Sequence, residues 1–287
     1  MQEKELILIF GPTAVGKTDY SIEMAKEYGS PVISCDSRQI FKEMKIGTAP
    51  PSEEQLRQVK HYFIFSHSVT DYYTAGKYEL EALALLEELF KTHDHLVMCG
   101  GSGLYIDALC NGLDDFPEAD QTLRAELMRR LQEEGIESLR MELKMLDPES
   151  YESIDLANHQ RIVRALEVTL MTGRKFSSFK TQVRKQRPFR IRKIYLDRER
   201  EELYDRINRR VDIMMADGLL AEAESLLCYR HMPALNTVGY KELFAYFDGN
   251  VSLEEAVELI KRNSRRYAKR QQTWWRKEEE NRVLLVP

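Results

Sequence analysis

An α/β fold is predicted for this chain: a parallel sheet flanked by helices, with an inserted helical subdomain. Three observations predict it. Six short, mainly apolar runs are mostly separated by helical stretches, as expected of strands buried on both faces. The first run, Leu6-Ile7-Leu8-Ile9-Phe10, feeds an octet, Gly11-Pro12-Thr13-Ala14-Val15-Gly16-Lys17-Thr18, that matches G-x-x-x-x-G-K-[ST]. About ninety residues separate the fourth run from the fifth, far more than one crossover helix needs.

The candidate strands are 5–10, 31–35, 62–65, 95–99, 192–196 and 283–286. A helical stretch, Asp19 to Tyr28, comes after the octet, so the context is strand, loop, helix. Such a loop aims backbone N–H groups at a diphosphate, with Lys17 as a point charge and Thr18 as a Mg²⁺ ligand. The sheet is therefore P-loop NTPase-like. One part of that pattern is missing. The run His95-Leu96-Val97-Met98-Cys99 ends in Gly100-Gly101-Ser102-Gly103, without the acid that ATPases and GTPases use to hold their metal. The loop reads as a diphosphate binder and not as a nucleotide motor.

The long insertion is helical. Leu123, Leu127 and Leu131 recur at i, i+4, i+8 behind Asp120 as N-cap. Ile136, Leu139, Leu143 and Leu146 come next, and Asp147-Pro148 stops that helix. Ile162, Leu166 and Leu170 give a third stripe, closed by Gly173. These stripes read as core. Residues 177–190 are polar and basic and read as a mobile segment. Beyond the fifth strand, Leu203, Ile207 and Val211 mark a buried helix face that ends by Gly218, and Ser252-x-x-Glu255 is a capping box opening a last long helix. The catalytic core is expected at 1–113 and 190–287, and the insertion at 114–189.

With 287 residues, 43% of them hydrophobic, the chain is long enough for one large domain and a subdomain. No apolar run approaches a membrane span, and Met1-Gln2-Glu3-Lys4 enters a strand at once, leaving no room for a signal peptide. A cytoplasmic, membrane-free protein is expected. Cys35, Cys99, Cys110 and Cys228 show no CxxC spacing and read as buried thiols, not as disulfides or a metal site. Net charge is −5, yet the charge is segregated. Arg174 to Lys193 holds nine Lys/Arg and no acid, and Lys261 to Lys277 holds eight. Residues 114–155 and Glu278-Glu279-Glu280 carry much of the compensating charge. This suggests a polyanion on one face, against the plainer reading of solvated helix faces.

Ligands gather at the carboxyl ends of strands in such sheets. Asp36 is the only acid in the strand-end set 10–13, 35–39 and 99–103. It could take a proton from an acceptor, hold Mg²⁺ through water, or simply cap its loop. Arg206 and Arg210, one helical turn apart and off the buried stripe, could clamp phosphate oxygens. Gln160-Arg161-x-x-Arg164 could meet a base and phosphates, or could be an ordinary polar helix start. Tyr267, Trp274 and Trp275 lie among the basic residues of the last helix. They suit stacking on single-stranded RNA, and at least one tryptophan reads as a core anchor.

Taken together the motifs resemble the bacterial tRNA dimethylallyltransferase family. They are the octet, Asp36-Ser37-Arg38-Gln39-Ile40-Phe41-Lys42-x-Met44-x-Ile46-Gly47-Thr48-Ala49, Gly100-Gly101-Ser102-Gly103-Leu104-Tyr105, Gln160-Arg161-x-x-Arg164-Ala165-Leu166-Glu167-Val168, Val238-Gly239-Tyr240-Lys241-Glu242 and Lys269-Arg270-Gln271-x-Thr273-Trp274, in that order. The resemblance runs from about residue 5 to residue 276. Ser102 stands where the family signature has Thr, with the hydroxyl kept. The region His61-Tyr62-Phe63 and Val69 to Ala75 departs from the family pattern.

The resemblance implies transfer of a dimethylallyl group from dimethylallyl diphosphate to N6 of adenosine 37, beside the anticodon of tRNA. It implies a donor diphosphate held by Gly11, Pro12, Thr13, Ala14, Val15, Gly16, Lys17, Thr18 and Arg210, with Mg²⁺ on Thr18. Asp36 is implied as general base, with Lys17, Thr18 and Arg206 assisting the leaving diphosphate. Contacts to the tRNA anticodon stem-loop are implied for Asp36, Ser37, Arg38, Gln39, Ser102, Arg124, Gln160, Arg161, Ile162, Val163, Arg164, Thr237, Gly239, Tyr240 and Lys241. A monomer is expected. The alternatives are a free-adenylate isopentenyltransferase, an ATP-dependent small-molecule kinase and a non-enzymatic RNA-binding module.

Overall fold

The structure is a computed structural model that describes residues 4–181, 183–276 and 281–285. Lys277, Glu278 to Glu280 and Val286, which enter the charge and strand assignments made from sequence, lie outside the described residues. Two compact units are present: Met1–Asn111 with Gln186–Pro287, and Gly112–Lys185.

The first unit is built on one sheet. In chain order it contains β1 (Glu5–Phe10), α1 (Lys17–Tyr28), β2 (Val32–Ser34), α2 (Glu53–Gln58), β3 (His61–Tyr62), α3 (Ala75–Leu89), β4 (His95–Gly100) and α4 (Gly103–Asn111). The six strands pair in the order β3-β2-β4-β1-β5-β6, all parallel, where β5 is Arg190–Asp197 and β6 is Arg282–Leu284. Leu6 to Ile9 are fully buried, because helices on both faces leave no solvent side to the central strand. β1 pairs with β4 from Glu5↔His95 to Phe10↔Gly100, which brings the ends of both strands level.

β3 is shorter than the 62–65 read from sequence. Phe63 and Phe65 take φ of 59° and 51°, left-handed values that no strand can continue through.

The second unit holds α5 (Gln121–Glu134), α6 (Ile136–Leu146), α7 (Pro148–Ser153) and α8 (His159–Thr172). Asp120 caps α5, accepting from the amides of Thr122 and Leu123. Pro148 does end α6, and it also opens α7 at a position where a missing N–H costs nothing. Leu127, Leu139, Leu143, Ile162 and Leu166 form the core. Leu146 and Leu170, included in the predicted stripes, are instead 38% and 41% exposed. At 3.6 residues per turn, a position eight residues along has rotated roughly 80° off the stripe, which carries Leu170 away from Ile162.

The first unit is completed by α9 (Arg200–Ala216), α10 (Leu219–Ser225), α11 (Tyr240–Phe247) and α12 (Leu253–Trp274). Leu203, Ile207 and Val211 form the buried face of α9. The Ser252/Glu255 capping box opens α12, with both hydrogen bonds made. Just past α12, the buried Trp275 packs edge-on against Phe10 at 5.2 Å, while Trp274 is half exposed and donates its indole N–H to Asp107. Trp275 is the core anchor of the pair.

The basic segment 174–193 is less free than its charge suggests. Arg187 is almost completely buried and donates to Glu79 and to the carbonyls of Ala108 and Leu109. Arg190 and Arg192 approach Glu5, and Lys185 pairs with Asp115. A count within the segment cannot see carboxylates supplied from elsewhere in the chain.

Candidate active site

Gly11 opens the phosphate loop where a side chain is impossible: a Cβ there would lie 2.3 Å from the carbonyl oxygen of Leu196, and φ is +156°. The loop then curls through Ala14, at φ 65°, and Gly16, at φ 112°, into the N-terminus of α1. The amides of Ala14, Gly16, Lys17 and Thr18 have no hydrogen-bond partner among the described residues, and the helix dipole points at the same spot. That is an anion cradle. The octet does not act uniformly, however. The Val15 amide donates to Pro12 O, the Thr13 amide donates to Gln271 Oε1, and Pro12 has no N–H. Gly11, Pro12 and Val15 therefore shape the loop without lining the cavity before it.

Two cavities meet at this loop. The first, about 280 Å³, is lined by Thr13, Ala14, Gly16, Lys17, Thr18, Arg206 and Arg210, among others. The second, about 310 Å³, is lined by Arg38, Thr237, Gly239, Lys241, Tyr267 and Arg270, among others. Both are lined by Thr13, Asp36, Thr48 and Arg210. Asp36 lies just beyond β2. Its Oδ1 accepts from the amides of Arg38, at 2.8 Å, and Gln39, at 3.2 Å. This is the loop-capping role, and it uses only one oxygen. Oδ2 has no protein partner among the described residues, so a free carboxylate oxygen stands at the border of the two cavities.

The charges around it form a cationic hole. Lys17 Nζ donates to the carbonyls of Gly11 and Pro12, and burial pulls its pKa below the ordinary lysine value. Cys99 and Asp36 partly oppose that. Arg206 Nε donates to Ala14 O, and Arg210 donates to Thr13 Oγ1 at 2.7 Å. Burial brings Arg210 down to about 10, with Asp36 pulling upward and Arg206 downward. Arg210 Nε is buried with no partner. Three part-buried cations, one of them with an unsatisfied buried donor, facing one carboxylate are what an anionic ligand would complete.

For Mg²⁺, the Thr18 hydroxyl makes no hydrogen bond among the described residues and lines the first cavity together with Asp36. Two hard oxygen donors, to be joined by phosphate oxygens and water, suit this ion. No cluster of three or more His, Cys, Asp or Glu groups of metal-binding type occurs among the described residues.

The residues expected to meet tRNA divide. Ser37, Arg38, Thr237, Gly239 and Lys241 line the second cavity, and Gln39 lines the first. Ser102 is buried, accepts from the Ser37 amide and donates to the Ser37 hydroxyl, so it braces a loop. Tyr240 is fully buried and donates to Glu222, which removes it from the surface. In the helical unit Gln160 and Arg161 are exposed, but Ile162 and Val163 are core. Arg164 and Arg124 both approach the fully buried carboxylate of Glu167, at 2.8 Å and 3.3 Å. A helix that offers one face to solvent must bury the opposite one, so a run of five consecutive residues could not all meet RNA.

Other residues escaped the sequence reading. Gln271 ties the loop to the end of β4, accepting from the Thr13 amide and donating to Gly101 O at 2.7 Å. It lies in a quoted motif, and an uncharged side chain among the cations of a basic helix was the available signal. His61 lines the first cavity, its Nδ1 engaged with Val59 O, its Nε2 buried without a partner and its pKa lowered by burial.

Parallel sheet, phosphate loop and a carboxylate shared by two cavities define a P-loop-type group-transfer site. The model of the IPP transferase family matches residues 39–278. The tRNA dimethylallyltransferase 1 of Bacteroides thetaiotaomicron is 51% identical over 277 residues, covering 96% of this chain and 90% of that protein. The tRNA dimethylallyltransferase of Christiangramia forsetii is 50% identical over 275 residues, 96% of this chain and 91% of its own. Among solved structures, the tRNA isopentenylpyrophosphate transferase of Bacillus halodurans superposes with a TM-score of 0.71 at 37% identity, over 99% of this chain and 90% of that one. A eukaryotic dimethylallyltransferase acting on tRNA shares the fold, with a TM-score of 0.79 at 24% identity over 98% of this chain and 73% of that one. The chain belongs to the IPP transferase family and is a prenyltransferase. No helix among the described residues is long and apolar enough to cross a membrane.

Proposed function

We propose that this protein transfers the dimethylallyl group of dimethylallyl diphosphate to N6 of adenosine 37 in tRNA, forming N6-(dimethylallyl)adenosine. The observation that carries this reading is the position of Asp36, on the border of a phosphate-binding cavity and a second cavity. The donor diphosphate occupies the first, on the free amides of the loop, Lys17, Arg206 and Arg210. The flipped adenine occupies the second. Adenine N6 is a weak nucleophile, because its lone pair is delocalised into the ring. The N6–C bond forms as the allylic C–O bond breaks, and the electron pair of that bond leaves with the diphosphate. The loop amides and the three cations are aimed at the charge that develops there. The N6 proton passes to Asp36 Oδ2, the oxygen not engaged in the loop. Mg²⁺, held by Thr18 and by diphosphate oxygens, would neutralise part of the same charge.

Extracting the adenosine from the anticodon stack costs a few kcal/mol, which RNA contacts elsewhere must offset. Exposed Gln160 and Arg161 of the helical unit are proposed for that task, and Arg38, Thr237 and Lys241, which line the second cavity, for contact with the base.

The same donor chemistry would serve a free adenylate. The relatives are named for tRNA, and a helical unit of this size favours a macromolecular acceptor. The test is to supply dimethylallyl diphosphate or ATP with an anticodon stem-loop or AMP and weigh the acceptors. A gain of one C5 unit on the stem-loop alone is expected. The same gain on AMP would transfer the assignment to the adenylate reaction, and a phosphate gain would make the protein a kinase.

A further inference from the structure

Glu222, on α10, is an acid that the proposed chemistry does not use. Its carboxylate accepts four hydrogen bonds. Oε2 takes the amides of Lys45 and Ile46, both at 2.8 Å. Oε1 takes the amide of Gly47 at 2.9 Å and the hydroxyl of Tyr240 at 2.7 Å. Three consecutive backbone amides are gathered onto one carboxylate from a helix about 175 residues further along the chain. The Tyr240 ring closes the arrangement from the other side. A Cβ on Gly47 would lie 2.7 Å from that ring, so only glycine fits beneath it.

The residues just beyond the clasped amides give this clasp its significance. Gly47 and Thr48 line the second cavity, and Thr48 to Pro51 line the first. Thr48 shares with Asp36 and Arg210 the lining common to both. At its far end the same stretch is held by Gln39 Nε2, which donates to the carbonyls of Thr48, at 3.3 Å, and Ala49, at 2.9 Å. Ala49 takes a φ of 47°, a left-handed value an alanine keeps only when its surroundings fix it. The wall between the cavities is thus tied at both ends.

We propose that Glu222, with Tyr240, is a positioning device that sets the Gly47–Ala49 wall, and hence the approach of the acceptor base to the donor. This rests on the assignment of the second cavity to the acceptor. Tyr240 is suited to the task, because burial beside Glu222 keeps its hydroxyl protonated and donating far above the ordinary tyrosine range. Glu222 itself touches no substrate.

The test is Glu222→Gln. An amide cannot accept from all four donors, so at least one backbone amide is released whichever way the group turns. The expected result is a fall of about ten- to hundredfold in kcat/KM for an anticodon stem-loop, the range that displacement of a reacting group by about 1 Å produces. The Kd for inorganic diphosphate, measured by calorimetry, should stay within about twofold, because the phosphate loop is held by other residues. Amide exchange at Lys45 to Gly47 should accelerate.

Gly47→Ala perturbs the wall from the opposite side, through the ring of Tyr240, and should give the same split between acceptor and diphosphate. It also serves where Glu222→Gln does not fold. Wild-type acceptor kinetics in either folded variant would overturn the proposal, as would equal losses for acceptor and diphosphate. If the wild-type protein itself does not prenylate the stem-loop, the functional reading fails. In that event unchanged exchange at Lys45 to Gly47 in Glu222→Gln would still refute the clasp separately.

Discussion

Arg161 and Arg164 are three residues apart and carry the same charge, yet their alanine variants should fail in different assays. Arg164 Nη1 donates to Glu167 Oε2 at 2.8 Å, and Nη2 donates to Pro117 O at 2.6 Å. The Glu167 carboxylate is fully buried, and Arg124 reaches the same oxygen at 3.3 Å. Breaking a buried ion pair by removing one partner costs about 3–5 kcal/mol. Arg124 remains and the Arg164 side chain is 26% exposed, which brings the expected loss to roughly 2 kcal/mol. In a unit of this size such a loss lowers the midpoint of its melting transition by about 8–16 °C. Hydrogen exchange in α5 and α8 should report it directly, as faster exchange in Arg164→Ala and none in Arg161→Ala. Arg161 is solvent-exposed, so its removal should leave stability alone. It should weaken stem-loop binding and flatten the slope of log K against log [salt] by about 0.7–0.9, one phosphate contact. If Arg164→Ala keeps full protection but loses RNA affinity as Arg161→Ala does, the assignment of Arg164 to the interior of the helical unit is wrong.

Asp36→Asn keeps an oxygen to accept the Arg38 and Gln39 amides while removing the base, so single-turnover prenyl transfer should fall about 10²–10⁴-fold with stem-loop affinity within a few-fold; a rate near wild type would exclude Asp36 as the base. Lys17→Ala should weaken inorganic diphosphate strongly and leave RNA binding alone, as calorimetry with each ligand will show. Because burial lowers Lys17, and brings Arg210 to about 10, protons are lost from this site sooner than from free side chains. Diphosphate affinity should therefore be full at neutral pH and decline as pH rises toward about 10, and a flat profile to about pH 11 would contradict a buried cationic cradle. Gln271→Ala strips the Thr13 amide of its acceptor and should raise the donor KM with little change in RNA affinity; an unchanged donor KM would mean that the loop holds its shape alone.

The strands, most helix starts and the phosphate loop were readable because they rest on local rules: apolar runs of strand length, glycines at turns, and caps such as Asp120 and Ser252; the order of the strands in the sheet was not. The site was legible where a single element carries it, as with Lys17, Thr18 and Asp36. It was illegible where distant segments meet. Arg187 and Glu79 are 108 residues apart in the chain, and neither betrays that the other satisfies it. Arg164 looked like an RNA ligand because the partner that buries it, Glu167, also reads as an ordinary helix residue. Tyr240 sat in a motif expected at the RNA surface, and only the fold reveals that it points inward, to Glu222.

The missing acid at the end of β4 gains its meaning from what replaces it. Gly101 O is engaged by Gln271 and the Ser102 hydroxyl by Ser37, so that strand end is braced to the phosphate loop and to the neighbouring strand. It holds no group able to organise a metal-bound water. The carboxylate at this end of the sheet is instead Asp36, just beyond β2, the strand paired with β4. There it borders the second cavity as well as the first. An acid on β4 would face the phosphates, where it suits metal binding and nucleotide hydrolysis. An acid at Asp36 also borders a second cavity, where on the proposed reading it suits removal of a proton from an incoming nucleophile. On the proposed reading the same sheet and loop would serve release of an intact diphosphate from carbon in place of cleavage of a phosphate anhydride, through the placement of one carboxylate.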